Sequence, residues 1–502
     1  MFEKVKAKIL VAAALATAFT PAFAANAPAP ASLDLNLPSL GSTADAELSP
    51  LQEHRLGEQI MMQVRSDPTF LTDPELTEYL NHLGYSLVSH AKTGTYSFFF
   101  FPIRDKSLNA FALPGGFIAM HTGTIVAARD ESELAGVLAH EISHVAQRHI
   151  ARMIEGQKGN LAVTLGSVLL AILAARAGGN SGGQAAAAIA MGSQAAMIQS
   201  QLSFSQDAER EADRMGLQTL YASDFDPRGM EDFFKRLQSS NRFYESAAPA
   251  YLSTHPLTVE RISDMENRTR QLPTKMHLDS PDFRLIQMRA RVLQETTIDG
   301  WKRVLSDFER DRKNAQARER CVIDYGLSVV KTELHDRQGA YEAAKASTTC
   351  GIKSAILERN LTRTAFDAAQ TAGQKRDALA AAKKALSTYP LSEMMATNYV
   401  DLLYAMGEHQ TIIDFVRSGT AMSVANPDYH ALLARSYAAL GKKSAQYMHT
   451  GEMYALTGNA EAAVYQYDLA QKANDGDFYT MSEIDARLRE LRAQVAEEKK
   501  NR

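Results

Sequence analysis

At 502 residues the chain is too long for a single compact core, and two or more domains are expected. Its formal net charge of −4 becomes more negative once the basic leader is discounted, which argues against a nucleic-acid partner. The only cysteines are Cys321 and Cys350.

The chain opens with Lys4, Lys6 and Lys8, continues as an apolar run from Ile9 to Phe19 and reaches Ala22-Phe23-Ala24. That order predicts a secretory signal peptide over residues 1–24, cleaved near Ala24, whose apolar core is too short to span a bilayer. No cysteine follows the cleavage site, so a lipid anchor is not indicated, and a periplasmic or otherwise exported location is expected. Residues 25–50 are rich in Pro, Ala and Ser without a sustained period and predict a linker.

From Leu51, "LQEHRLGEQIMMQV" has helical spacing, and Asp73-Pro74 starts a second helix through "ELTEYLNHLGYSLVSHA". The period then shortens. "YSFFFFPI" and "FIAMHTG" predict strands, with Pro114-Gly115-Gly116 as a turn. The phenylalanines at 98–101 read as a buried strand rather than an aromatic ligand site.

Residues Glu131 to Met153 predict one long helix, which carries "VLAHEISHVAQRH" at 137–149. His140 and His144 stand four apart, about 40° around the helix, so both rings can reach one ion. Glu141 beside them cannot join as a ligand, but it can take a proton from an attacking water, the base of a zinc peptidase. His149 would lie about 140° around from His144 if the helix continues, and no glycine turns the chain back, so it is given a structural or supporting role.

Between Lys158 and Asp207, Arg176 is the sole charge. The uncharged runs fall short of the roughly 20 residues a spanning helix needs, which predicts a hairpin of two buried or semi-exposed helices, with peripheral membrane contact as second choice. Helical spacing resumes in "SFSQDAEREADRMGLQTL", where Glu209 and Asp213 share a face. Glu209 is the better third ligand and Asp213 could orient a ligand histidine; Glu211 competes for the ligand role.

Beyond about residue 280 helices dominate. Gly339, Gly373, Gly407 and Gly441 recur every 34 residues, the period of tetratricopeptide-type helical repeats. The units around Gly373 and Gly458 fit that pattern best, whereas Ile412 and Gln446 stand where alanine is expected after Gly407 and Gly441. Cys321 and Cys350 lie in the first unit, and in an exported protein such a pair predicts a disulfide stapling one helical hairpin, with two buried thiols as the alternative.

"NAFALPGG" (109–116), "HEISH" (140–144) and "EREAD" (209–213), in this order, resemble the gluzincin metallopeptidases that include HtpX and the CaaX prenyl proteases. The exported start and the helical repeats resemble the soluble periplasmic branch of that family. The resemblance implies one Zn²⁺ per chain, with Glu209 rather than Glu211 as third ligand and Asp213 as its supporting acid. In "YLSTHPLTVERI" it implies that His255 can close on the zinc as a regulatory fourth ligand and that Arg261 lies near the active site.

The expected fold is an α+β zinc metallopeptidase domain, mostly helical with a small sheet, at 51–275, then an all-α tetratricopeptide-repeat solenoid at 276–495. The expected function is a periplasmic zinc-dependent endopeptidase, and the resemblance implies that it acts, with chaperone-like activity, in the assembly and quality control of outer-membrane β-barrel proteins. Its repeats would recruit protein partners or unfolded and stalled clients, as concave helical stacks commonly do, and the resemblance implies that these are outer-membrane β-barrel proteins and their assembly machinery. Substrate would lie extended, adding a strand at an edge near Phe117 to His121, and the uncharged hairpin would act as a lid. The alternatives are a non-proteolytic assembly scaffold with a latent zinc site and, more weakly, a membrane-bound protease anchored by residues 161–198.

Overall fold

A computed structural model describes residues 48–94, 96–156, 205–243, 251–252, 255–418 and 426–500. The expected signal peptide, nearly all of the linker and the uncharged hairpin lie outside these residues. Among the described residues no helix is long and apolar enough to cross a membrane.

Helix α1 (Pro50–Val64) begins where its capping box dictates: the Ser49 side chain accepts from the Gln52 amide and the Gln52 side chain accepts from the Ser49 amide. Pro50, counted above with the linker, is therefore the first helical residue. Helix α2 (Pro74–Val88) starts at the Asp73 cap and Pro74, as its sequence predicts. Three strands follow, β1 (Phe99–Ile103), β2 (Ala110–Leu113) and β3 (Phe117–His121).

The sheet order is β1-β3-β2. Strand β1 runs parallel to β3 with Phe99 opposite Phe117, and β2 runs antiparallel to β3 with Ala110 opposite Met120. Strand β3 is therefore central, which corrects the expected substrate edge at Phe117 to His121: both sides of that strand are already paired. The edges are β1 and β2. Phe98, Phe100 and Phe101 are buried, as a core strand requires. Gly115 and Gly116 both have positive φ, and a Cβ on either would strike backbone, at His54 and Ser97 respectively, so this turn needs glycine.

Short helix α3 (Thr122–Ala127) leads to α4 (Glu131–Ala146), capped by Asp130. The single helix expected to Met153 is interrupted. Arg148 has φ +53°, and the chain re-enters a helix only at α5 (His149–Gly156). A left-handed non-glycine residue costs about 1–2 kcal/mol, offset here because the Arg148 guanidinium is tethered to the Leu48 carbonyl and lies 3.5 Å from buried Glu53. Helices α6 (Gln206–Ala222), α7 (Arg228–Phe243) and α8 (Val259–Gln271) complete the surroundings of α4.

The described residues that follow form helices: α9 (Pro281–Leu293), α10 (Ile298–Asn314), α11 (Ala317–Glu333), α12 (Arg337–Ser347), α13 (Ala355–Ala368), α14 (Ala372–Thr388), α15 (Glu393–Met406), α16 (His409–Arg417), α17 (Pro427–Ala439), α18 (Lys443–Leu456), α19 (Ala460–Ala473) and α20 (Phe478–Lys500). The glycines spaced by 34 each fall at the entry to the second helix of a contacting pair, α11/α12, α13/α14, α15/α16 and α17/α18. Cys321 and Cys350 form a disulfide that ties α11 to the segment after α12.

These later helices dock on α2 through its acidic residues. Arg289 of α9 grips Asp73 at 2.6 Å and also pairs with Glu75, whose carboxylate further accepts from Tyr325 of α11 at 2.9 Å and Arg359 of α13 at 2.8 Å. Glu78 accepts from the Ser392 hydroxyl and the Met394 amide, capping α15. Between α1 and α2 on one side and α13 to α15 on the other lies a cleft of about 2580 Å³.

Candidate metal centre

Helices α4 and α6 cross at close range because Gly216 lies against the backbone of Ala139 and His140; a Cβ there would sit 3.1 Å from it. About one and two turns earlier on α6, Asp213 and Glu209 face the histidines of α4. His140, His144, Glu209 and His255 are all fully buried, and one donor atom from each lies within 4.8 Å of the others. His140 Nε2 is 3.0 Å from His144 Nε2, 3.5 Å from Glu209 Oε2 and 3.3 Å from His255 Nδ1. His144 Nε2 is 3.4 Å from Glu209 Oε1, which is 2.9 Å from His255 Nδ1.

A tetrahedral zinc with Zn–N bonds near 2.1 Å spaces its donors by about 3.4 Å. The quoted donor pairs, at 2.9 to 3.5 Å, lie near that spacing, and all four donors fall within 4.8 Å of one another. Burying four such groups together without an ion would also be costly. The residues fit zinc.

The electrostatics follow from this crowding. Burial strongly disfavours the protonated form of His144 and lowers its pKa well below the usual value. Burial opposes charge on Glu209 too, but the neighbouring His255 and hydrogen bonds from His140, His144 and His255 hold it well below the carboxylate range. On His140 burial again opposes charge, yet hydrogen bonds with Asp213 and Glu209 push its pKa up to about 10. Glu141 is raised, chiefly by burial. It lies 3.5 Å from His255 Nε2, and the Ala112 backbone of β2 faces it and partly offsets that rise.

Asp213 lies 3.0 Å from His140 Nδ1, on the side of the ring away from the donor cluster. Arg261 donates to Asp213 through Nε and Nη2, both at 2.7 Å, to the Pro256 carbonyl at 2.9 Å, and contacts Glu209 at 2.8 Å. Its position joins the His255 segment to α6. His255 is further held by its amide to the Tyr251 carbonyl at 2.8 Å and by the Tyr251 ring, stacked at 4.5 Å, while the Tyr251 amide donates to Leu108 just before β2.

The structure thus gathers His140, Glu141, His144, Glu209, Asp213, His255 and Arg261 in one place. It keeps Glu211 out: that carboxylate is partly exposed and pairs with Arg152 at 2.7 Å and His149 at 3.2 Å. His149, set aside above on the assumption of a continuous helix, is turned back by Arg148, and its Nδ1 reaches 2.8 Å from His144 Nδ1. Burial lowers its pKa to about 4, so it is neutral. The ring stacking of Tyr251 on His255 had no sequence signal.

Residues 74–269 match peptidase family M48. The chain is 31% identical over 501 residues to the beta-barrel assembly-enhancing protease of Escherichia coli (strain K12), covering 98% of each. It is 32% identical to the putative beta-barrel assembly-enhancing protease of Vibrio cholerae, over 97% of each chain. The mitochondrial metalloendopeptidase OMA1 of Schizosaccharomyces pombe is 33% identical over 164 residues, 33% of this chain and 44% of that protein.

Proposed function

The chain belongs to peptidase family M48 and is a zinc metalloendopeptidase, and we propose that His140, His144 and Glu209 hold its zinc while Glu141 serves as catalytic base. The observation that carries this reading is the convergence of the buried donors beside the buried carboxylate of Glu141. Bound there, zinc supplies Lewis-acid polarisation of the scissile carbonyl and acidifies water. Glu141 takes the proton of the attacking water and returns it to the leaving amine, and its burial-raised pKa suits both halves of that task. Asp213, braced by Arg261, fixes the ring of His140. An extended substrate pairs along the edge strand β2, Ala110–Leu113, which runs past Glu141.

His255 acts in this reading as a regulatory fourth ligand. With its Nδ1 among the donors and its Nε2 toward Glu141, it occupies the position that substrate and water need, so the arrangement described is latent. The residues 51–275 form the peptidase domain and 276–495 a tetratricopeptide-type repeat domain.

The full-length likeness to beta-barrel assembly-enhancing proteases supports a periplasmic role in outer-membrane β-barrel assembly and quality control. Stalled or unfolded barrel proteins are the clients, and the repeats, with their cleft against α2, recruit them and the assembly machinery and give the protein chaperone-like activity. The closed His255 favours a second reading, a scaffold that works with its zinc site shut. Replacing Glu141 with Gln separates the two: the enzyme reading expects retained zinc and lost degradation of a stalled client, whereas the scaffold reading expects unchanged function.

A further inference from the structure

His140 and His144 are supported differently. Behind His140 stands a carboxylate, Asp213, held by Arg261. Behind His144 stands another imidazole: His144 Nδ1 is 2.8 Å from His149 Nδ1, and His149 Nε2 is 3.2 Å from Glu211 Oε2, which Arg152 holds at 2.7 Å. The rings of His144 and His149 meet edge to face, at 4.8 Å and 75°.

Two ring nitrogens in contact require a proton on one and a lone pair on the other. His144 turns Nε2 toward the donor cluster, so the lone pair belongs there and the proton belongs on Nδ1. That proton is donated to His149 Nδ1. The remaining His149 proton then lies on Nε2 and is donated to Glu211, whose charge is satisfied by Arg152. With His144 Nε2 kept for the donor cluster, this assignment gives every donor in the row an acceptor.

We propose that His149 and Glu211 are positioning residues that fix the tautomer and ring plane of His144, so that each ligand histidine is backed by a carboxylate braced by an arginine. The break at Arg148 makes this possible. In a continuous helix a residue five positions on would leave about 140° around the axis, and His149 could not face His144. The proposal rests on the reading of His144 as a zinc ligand. Glu211 acts through an imidazole and is partly exposed, so its contribution is smaller than that of His149.

The test measures zinc affinity of the full chain by competition with a fluorescent chelator, alongside peptidase activity at saturating zinc. His149→Leu is expected to weaken zinc binding by about 10- to 100-fold, the usual effect of removing an outer-shell partner. His149→Asn, whose amide oxygen can still accept from His144, is expected to recover most of the loss. A folded His149→Leu protein with wild-type affinity would overturn the proposal, as would an Asn variant no better than Leu. If His149→Leu does not fold, Glu211→Gln serves: weakened affinity supports the row and unchanged affinity overturns it. His140→Ala separates the two levels. If it too leaves zinc binding unchanged, the ligand reading itself fails; if it abolishes binding while His149→Leu does not, only the positioning row fails.

Discussion

Arg261 grips Asp213 with a two-pronged bridge, Nε to Oδ2 and Nη2 to Oδ1, both at 2.7 Å, and both side chains are almost wholly buried. The guanidinium is also the link between α6 and the segment carrying His255, through the Pro256 carbonyl. Arg261→Ala leaves buried Asp213 without its main countercharge and is expected to cost about 3–5 kcal/mol of folding stability. Arg261→Lys restores the charge without the fork and recovers only part of that. Urea denaturation of the two variants checks the ranking, and an Ala variant within about 1 kcal/mol of wild type would contradict it.

A second pair, Asp73 and Arg289, gives the docking of the later helices a pH dependence. Burial alone would raise the Asp73 pKa, but Arg289 overrides it and holds the value below the usual 3.8. A depressed folded-state value stabilises fully above the unfolded value near 4, and the stabilisation is lost as pH falls through the folded value. Asp73→Asn preserves the cap of α2, since asparagine caps as well as aspartate. Its cost is therefore electrostatic: about 1–3 kcal/mol, less than for an isolated buried pair because Arg289 keeps Glu75. Denaturant midpoints measured from pH 7 down to pH 3 should show the gap between wild type and Asp73→Asn narrowing below pH 4. A constant gap would show that the pair does not titrate as described.

The helical period carried the centre of the site. His140 and His144 are brought together by one helix, and a period of 3.6 states that directly. Glu209 was legible only in part: helical spacing put it on one face with Asp213, but a charged helix face is ordinarily solvated, Glu211 competed for the role, and the family resemblance chose between them. The helix break was not legible. Arg148 adopts a left-handed conformation that sequence marks only through glycine or asparagine, and its stabilisation comes from Leu48 and Glu53, about a hundred residues away. The sheet order was equally hidden. Alternation and turns identify strands, but the parallel pairing of β1 with β3 is a non-local choice, and it made Phe117–His121 the centre and Ala110–Leu113 the edge.

Gly216 sets the distance between the two ligand-bearing helices. A Cβ would stand 3.1 Å from the Ala139 carbonyl and the His140 amide nitrogen, a contact that backbone relieves only by moving. Gly216→Ala gains about 1 kcal/mol of helix propensity, which offsets much of the strain, so its stability should stay near wild type. Gly216→Val adds two methyls and the poorer propensity of a branched residue, and about 1–3 kcal/mol of overpacking is expected. Because the displaced backbone carries His140, zinc affinity should fall with the valine variant in parallel with its melting temperature. A valine variant that melts lower but binds zinc as tightly as wild type would separate helix spacing from ligand placement.

The proposed gate at His255 can be tested by the signs of two effects. Its Nδ1 lies 2.9 Å from Glu209 Oε1 and its Nε2 3.5 Å from Glu141 Oε1, so it spans the ligand set and the base together. Replacing it with alanine removes one donor of four and clears the space beside Glu141. Zinc affinity should fall, yet hydrolysis of an unfolded protein at saturating zinc should rise several-fold, because the three remaining ligands leave a coordination position open, as catalytic zinc sites require. The opposite signs are what distinguish a gate from an ordinary ligand, whose loss would lower both. If His255→Ala left both affinity and proteolysis unchanged, neither role would stand. If both fell, His255 would be needed for an active site rather than for a closed one.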